Sequence, residues 1–250
     1  MEPYVKLTSE SGIGTIEFFH PSHNALPSSL LNQLVEAFNT ASNDETIKVV
    51  VLKSGGDRTF CAGANFQELQ QISNKDEGTK FFSGFANVIN AMRKCSKIII
   101  GRIQGKAVGG GVGLAAATDY CLASKYASVK LSELNIGIGP FVIEPAVSRK
   151  IGLNGFTHIT LNPDVFFDSK WAADKGLFQN VFESTEELDA AVTNLASKLC
   201  SYNTEALQQL KSVLWKNTDD WDDLLIERAK LSGKLILSDQ AKAALQKYTS

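Results

Sequence analysis

Lys106-Ala107-Val108-Gly109-Gly110-Gly111-Val112-Gly113-Leu114-Ala115-Ala116-Ala117-Thr118-Asp119 follows an apolar run at 97–103 and passes from glycines into small helix formers. A helix with no large side chain packs closely against its neighbours all round. The N–H groups of its first turn have no partner within the helix, and they point into the glycine loop with the positive end of the helix dipole. Such an end favours negative charge, either a bound phosphate or an oxyanion that forms during reaction. Taken alone, the stretch is equally compatible with glycines that only permit tight strand–helix packing.

A dinucleotide-binding turn is the other pattern these glycines fit. Gly111, Gly113 and Ala116 match G-x-G-x-x-A, and Glu133 stands twenty residues after Gly113. The context does not match. The helix ends near Asp119, too short for a normal crossover, and the next strand is over by Ser124. Glu133 therefore lies beyond the place of a ribose-binding acid, and a nicotinamide oxidoreductase is not expected.

Outward from this stretch, strand-like and helix-like segments alternate. Strands are predicted over 5–7 and 15–19, separated by a turn at 11–14. A helix is predicted over 28–42, opened by Pro27, with Leu30, Leu31, Leu34, Val35 and Phe38 on one face. The apolar run 48–52 ends in the turn cluster 54–57. A Phe-rich helix over 78–93 leads to the strand 97–103, and strand-like pieces follow at 120–123, 129–131 and 134–138. This alternation implies an α/β fold. The similar size of the units suggests a spiral of ββα turns. From 185 onward the strand signal stops, and 186–201, 204–216, 219–237 and 238–248 read as helices. The expected organisation is an α/β core over 1–184 and a helical region over 185–250 that closes over the core or builds an oligomer interface.

Composition narrows the function classes. Apolar and charged residues make up 44% and 21% of the 250 residues, as in ordinary globular proteins, and a net charge of −2 argues against nucleic acid as the partner. No stretch reaches the ~18 apolar residues of a membrane helix, and residues 1–10 carry no basic-then-apolar leader. Cys61, Cys95, Cys121 and Cys200 are widely spaced, and His20, His23 and His158 are not grouped, so neither a metal site nor a triad is expected. Free thiols fit a cytoplasmic protein.

A second informative stretch is Thr59-Phe60-Cys61-Ala62-Gly63-Ala64-Asn65-Phe66-Gln67-Glu68-Leu69. Its small residues let a ligand approach the backbone, and Asn65 is placed to cap a following helix. The two stretches together resemble the enoyl-CoA hydratase/isomerase (crotonase) superfamily over nearly the whole chain. The G-A-D-type loop is seen as Gly63-Ala64-Asn65-Phe66-Gln67-Glu68-Leu69. The glycine helix is seen as Ile103-Gln104-Gly105, then Gly109-Gly110-Gly111, closed by Thr118-Asp119. An N-A-L segment is seen as Asn24-Ala25-Leu26.

The resemblance implies a crotonase-type fold and a homotrimer or dimer of trimers. It implies an acyl-CoA substrate, with coenzyme A as part of the substrate and no tightly bound cofactor. Ala64 and Gly110 N–H would form an oxyanion hole, with Ala25, Ala62, Asn65, Phe66, Gln67, Gly109 and Gly111 around the substrate. Many relatives carry Lys where Gln67 stands. Asp119 would anchor the helix end, and one of Phe81, Phe82 and Phe85 would line an acyl pocket.

Hydratases of the two-glutamate kind hold one water between two carboxylates. The position of the first is Gly113 here. The second is matched by Glu133 in Val129-Lys130-Leu131-Ser132-Glu133-Leu134, and enclosure is expected to raise its pKa. The following segment, 134–143, resembles that of bacterial methylglutaconyl-CoA-hydratase-like members. The resemblance therefore favours a hydratase acting on a branched acyl-CoA such as 3-methylglutaconyl-CoA, with a Δ3,Δ2-enoyl-CoA isomerase as the alternative. A non-catalytic acyl-CoA-binding protein, decarboxylation and thioester hydrolysis stay open.

Overall fold

A computed structural model describes residues 1–247. The chain starts with an antiparallel hairpin, β1 (Tyr4–Glu10) and β2 (Ile13–Phe19), turned by Ser11 and Gly12 in positive φ. Strand β2 buries alternate residues, as expected of a strand with one face on the core. Helix α1 (Ser28–Asn43) follows, and its apolar stripe Leu30, Leu31, Leu34 and Phe38 is fully buried. Three successive turns of chain then repeat one plan. Strands β3 (Val49–Ser54) and β4 (Thr59–Cys61) precede α2 (Phe66–Gln71) and α3 (Lys75–Lys94). Strands β5 (Ile98–Ile103) and β6 (Lys106–Val108) precede α4 (Gly110–Ala117). Strands β7 (Tyr120–Ser124) and β8 (Ser128–Lys130) precede a 3₁₀ turn (Glu133–Ile136) and α5 (Glu144–Thr160).

In each turn the first strand joins a six-stranded sheet and the second a four-stranded sheet, so the chain alternates between two sheets. The larger is ordered β1-β2-β3-β5-β7-β10, with β10 spanning Asn180–Phe182. The smaller is ordered β4-β6-β8-β9, with β9 spanning Phe167–Asp168. Strands β4, β6 and β8 run parallel, so their C-terminal ends lie side by side along one edge. Helix α6 (Ser169–Asp174) links β9 to β10.

Alternation along the central strands divides the core in two. Val50 and Leu52 face the main cluster with α1 and α3. Val49, Val51, Ile100 and Leu122 face α7 (Thr185–Cys200), which contributes Leu188, Val192 and Ala196. Burying each such aliphatic side chain stabilises by about 1.5–3 kcal/mol, which fixes the helical region firmly on the core. Helix α8 (Thr204–Leu214) sends Lys211 inward. Helix α9 (Trp221–Leu235) crosses α3 where Gly233 meets Gly78: a Cβ on Gly78 would fall 2.7 Å from the Gly233 Cα. Helix α10 (Asp239–Gln246) packs on α2 and the 3₁₀ turn.

Two sequence expectations change. Residues 134–138 are not extended; Glu133–Ile136 is a 3₁₀ turn closed by Gly137 at φ 73°. The elements between 144 and 182, which the sequence pattern did not indicate, complete both sheets. Of the last predicted helix, Tyr248 lies outside the described residues.

Candidate active site

The parallel edge of the small sheet assembles the site. The loop leaving β4 carries Ala62, Gly63 and Ala64; the loop leaving β6 carries Gly109 and Gly110; the turn after β8 carries Glu133. The three segments touch through their glycines. A Cβ built on Gly63, which sits at φ 83°, would fall 3.3 Å from Gly110 N and 2.8 Å from Val108 O. Gly109 sits at φ 51° and ψ −120°, a conformation that suits glycine. It donates its N–H to Lys130 O at 2.9 Å, tying β6 to β8 just before α4 begins.

The Ala64 and Gly110 N–H groups are left over. Leu26 N–H donates to Gly63 O at 2.8 Å and Asn65 N–H donates to Leu26 O at 3.3 Å, so the Ala64 N–H between them is turned to the other side. Gly110 N–H opens the first turn of α4. Neither donates to a protein acceptor among the described residues. Two N–H groups without a partner, one of them opening α4, favour a developing anion.

Glu133 is held by its own turn: Gly137 N–H returns to the Glu133 and Leu134 carbonyls, and Ile138 N–H reaches Glu133 O at 3.1 Å. Its carboxylate lies against Gly109, where a Cβ would sit 2.8 Å from Oε1. Oε2 is enclosed with no hydrogen-bond partner among the described residues. Burial, only partly offset by its own backbone N–H, pushes the Glu133 pKa from 4.5 up to about 7.

These groups open onto a cleft of about 590 Å³. Ala62, Ala64, Phe66, Gly109, Gly110 and Glu133 line it, as do Phe82 and Phe85 from α3. Ala25, Asn65, Gln67 and Gly111 do not. Asn65 caps α2, accepting Glu68 N–H at 3.0 Å, and Glu68 Oε2 in turn accepts Ser28 N–H at 2.7 Å. Gln67 is exposed on α2, and Ala25 is buried beneath the loop. Gly111 faces the strand behind it, since a Cβ there would meet Cys61 O at 2.5 Å.

The wall that sequence reasoning missed is Ile138–Ile143 and Ser232. Ile143 also covers Gly113, where a Cβ would fall 2.4 Å from its Cγ2. The Ile136/Ile138 and Phe141–Ile143 apolar residues were a signal for the loop. Ser232 has none, because it reaches the cleft only through the Gly78–Gly233 crossing. Asp119 stands at the far end of α4, accepting Ile99 N–H, Trp215 Nε1–H and Lys211 Nζ–H at 2.7, 2.6 and 2.7 Å. No group of three or more His, Cys, Asp or Glu is placed to hold a metal ion among the described residues, and no helix there is long and apolar enough to cross a membrane.

A family model described as enoyl-CoA hydratase/isomerase matches residues 8–249. The peroxisomal Delta(3,5)-Delta(2,4)-dienoyl-CoA isomerase of Arabidopsis thaliana is 27% identical, over 86% of this chain and 81% of its own. The mitochondrial methylglutaconyl-CoA hydratase of Homo sapiens is 31% identical, over 67% of this chain and 49% of its own. The crystal structure of an enoyl-CoA hydratase from Bacillus halodurans superposes with a TM-score of 0.91 at 21% identity, covering 98% of this chain and 99% of that one. The fold is the crotonase type.

Proposed function

We propose, from the premise that the chain belongs to the enoyl-CoA hydratase/isomerase family, that it moves a proton along the acyl chain of a coenzyme A thioester with Glu133 as its single acid–base group. The observation that carries this reading is the pair of facts at α4 and its cover. Glu133 is the one carboxylate in the cleft among the described residues, and the Gly113 position, where two-glutamate hydratases hold a second, is covered by Ile143.

The thioester oxygen takes the Ala64 and Gly110 N–H groups. Glu133, ionised, removes a proton from C2 of a 3-enoyl group, and the charge passes through the conjugated system to that oxygen. The same carboxyl returns the proton at C4. The C2–H bond breaks, a C4–H bond forms, and the double bond moves from C3–C4 to C2–C3, with no other reactant consumed. A base with a pKa near 7 is matched to such a step at neutral pH. Removal of one oxyanion donor typically costs on the order of 10²–10³ in rate.

Hydration is the second reading, and the Ser132 and Ser232 side chains in the cleft wall favour it, since their hydroxyls offer a water two partners. Around this chemistry, Ala62, Phe66 and Gly109 contact the substrate, while Ala25, Asn65, Gln67 and Gly111 support the loops that do. Coenzyme A arrives as part of the substrate. A homotrimer or dimer of trimers is supported by exposed apolar side chains on α8, namely Leu210, Val213 and Leu214. A cytoplasmic location is supported by four free cysteines.

Incubating the purified protein with 3-hexenoyl-CoA tests the reading. The expected product absorbs as a conjugated enoyl thioester at unchanged mass. A product heavier by one water from 2-hexenoyl-CoA makes the protein a hydratase, and unchanged 3-hexenoyl-CoA removes the proposed proton shift.

A further inference from the structure

We infer, resting on the acyl-thioester reading above, that the cleft selects acyl groups uncharged along their whole length and rejects those ending in a carboxylate. Among the described residues, those that line it include no Lys, Arg or His, and their single ionisable side chain is Glu133. The walls are apolar: Phe82 and Phe85 from α3 line the cleft, as do Ile138, Phe141 and Ile143 from the loop before α5. Ser132 and Ser232 supply uncharged hydroxyls only.

A thioester carbonyl seated on Ala64 and Gly110 N–H places C2 to C4 beside Glu133 and sends the rest of the chain toward those walls. A distal carboxylate there loses its water without gaining a cation, a loss that apolar packing does not offset. It also shares the enclosure with Glu133. Like charge disfavours ionisation of the base, already held up to about 7 by burial, so the acid–base group is driven toward its inactive form. A neutral aliphatic tail meets neither penalty and buries apolar surface instead. The same charge logic weighs against 3-methylglutaconyl-CoA, whose acyl group ends in a carboxylate.

The test pairs 3-hexenoyl-CoA with the coenzyme A monothioester of 3-hexenedioic acid, which matches it in chain length and differs by the distal carboxylate. With the intact protein, kcat/KM for the neutral substrate is expected to exceed that for the carboxylated one on the order of 10²-fold or more. Equal values, or a preference for the carboxylated substrate, overturn the inference. If neither substrate is turned over, the proposed reaction fails while the selectivity is still decided by calorimetry with the saturated pair. Hexanoyl-CoA binding about tenfold or more tighter than adipoyl-CoA supports it, and equal affinity or a preference for adipoyl-CoA overturns it.

Discussion

The two ends of α4 hold two enclosed carboxylates that have opposite fates. Asp119, after its C-terminus, is saturated: a backbone N–H, the Trp215 indole and the Lys211 ammonium all donate to it, and Lys211 also donates to Met92 O at 3.0 Å. Glu133, beside its N-terminus, has an enclosed Oε2 that nothing in the protein satisfies among the described residues. A buried polar group normally finds its partners. Where all are present the group fastens elements together, and Asp119 ties β5, α4 and α8 into one unit. Where they are missing, as at Glu133, the fold carries the cost of an unsatisfied buried oxygen, which the proposed proton transfer would put to use.

Substitutions at the two ends should separate these roles. The largest effect belongs to Glu133→Gln, which keeps shape and removes the base: turnover should fall on the order of 10³-fold, with acyl-CoA affinity retained in calorimetry. At the other end, Lys211→Met strands Asp119 in the interior. Denaturant titration should show a loss of about 3–5 kcal/mol, with kcat per folded molecule unchanged. Adding Asp119→Asn should recover part of that loss, which distinguishes an unpaired charge from a packing defect.

A smaller effect runs in the unexpected direction. The folded Glu133 has its pKa raised, so the folded chain holds a proton between 4.5 and about 7 that the unfolded chain has released. Its contribution to stability is therefore full below 4.5 and lost as pH rises through about 7. Glu133→Gln should then be more stable than the parent by about 2–3 kcal/mol at pH 8, with the gain vanishing below pH 4.5. Denaturation midpoints at the two pH values check this. Least of all, Ile143→Val should cost about 1 kcal/mol and widen the cleft floor over Gly113, shifting kcat/KM modestly toward longer acyl groups.

The contrast also explains what the sequence makes legible. Asp119, the glycine helix, the α1 stripe and the apolar strands β3 and β5 are local patterns, fixed by period, turn residues and small side chains. The polar edge of the cleft is proposed through the family resemblance instead, since Ala64, Gly110 and Glu133 follow the short parallel strands β4, β6 and β8, of which the sequence pattern indicates only the last. The cleft's apolar wall was not legible. Helix α5 is interrupted at Gly152, at φ 71° and ψ 161°, which breaks any single stripe along it. Ile136 and Ile138 alternate as a strand does, yet the left-handed Gly137 between them makes a turn. Ser232 enters from a helix distant in sequence, and Ile143 takes its place over Gly113 only once the loop has folded back. Contacts of this kind are set by tertiary packing and leave no periodic trace.

The pH dependence of kcat/KM for 3-hexenoyl-CoA, measured on the parent protein and on Glu133→Gln, bears most directly on the claim that Glu133 is the acid–base group. The parent should gain about tenfold per pH unit on the acid side and level off above about 7, while the variant is flat and far slower. A parent profile with no inflection near 7, or a variant that keeps the parent's rate and inflection, would contradict it.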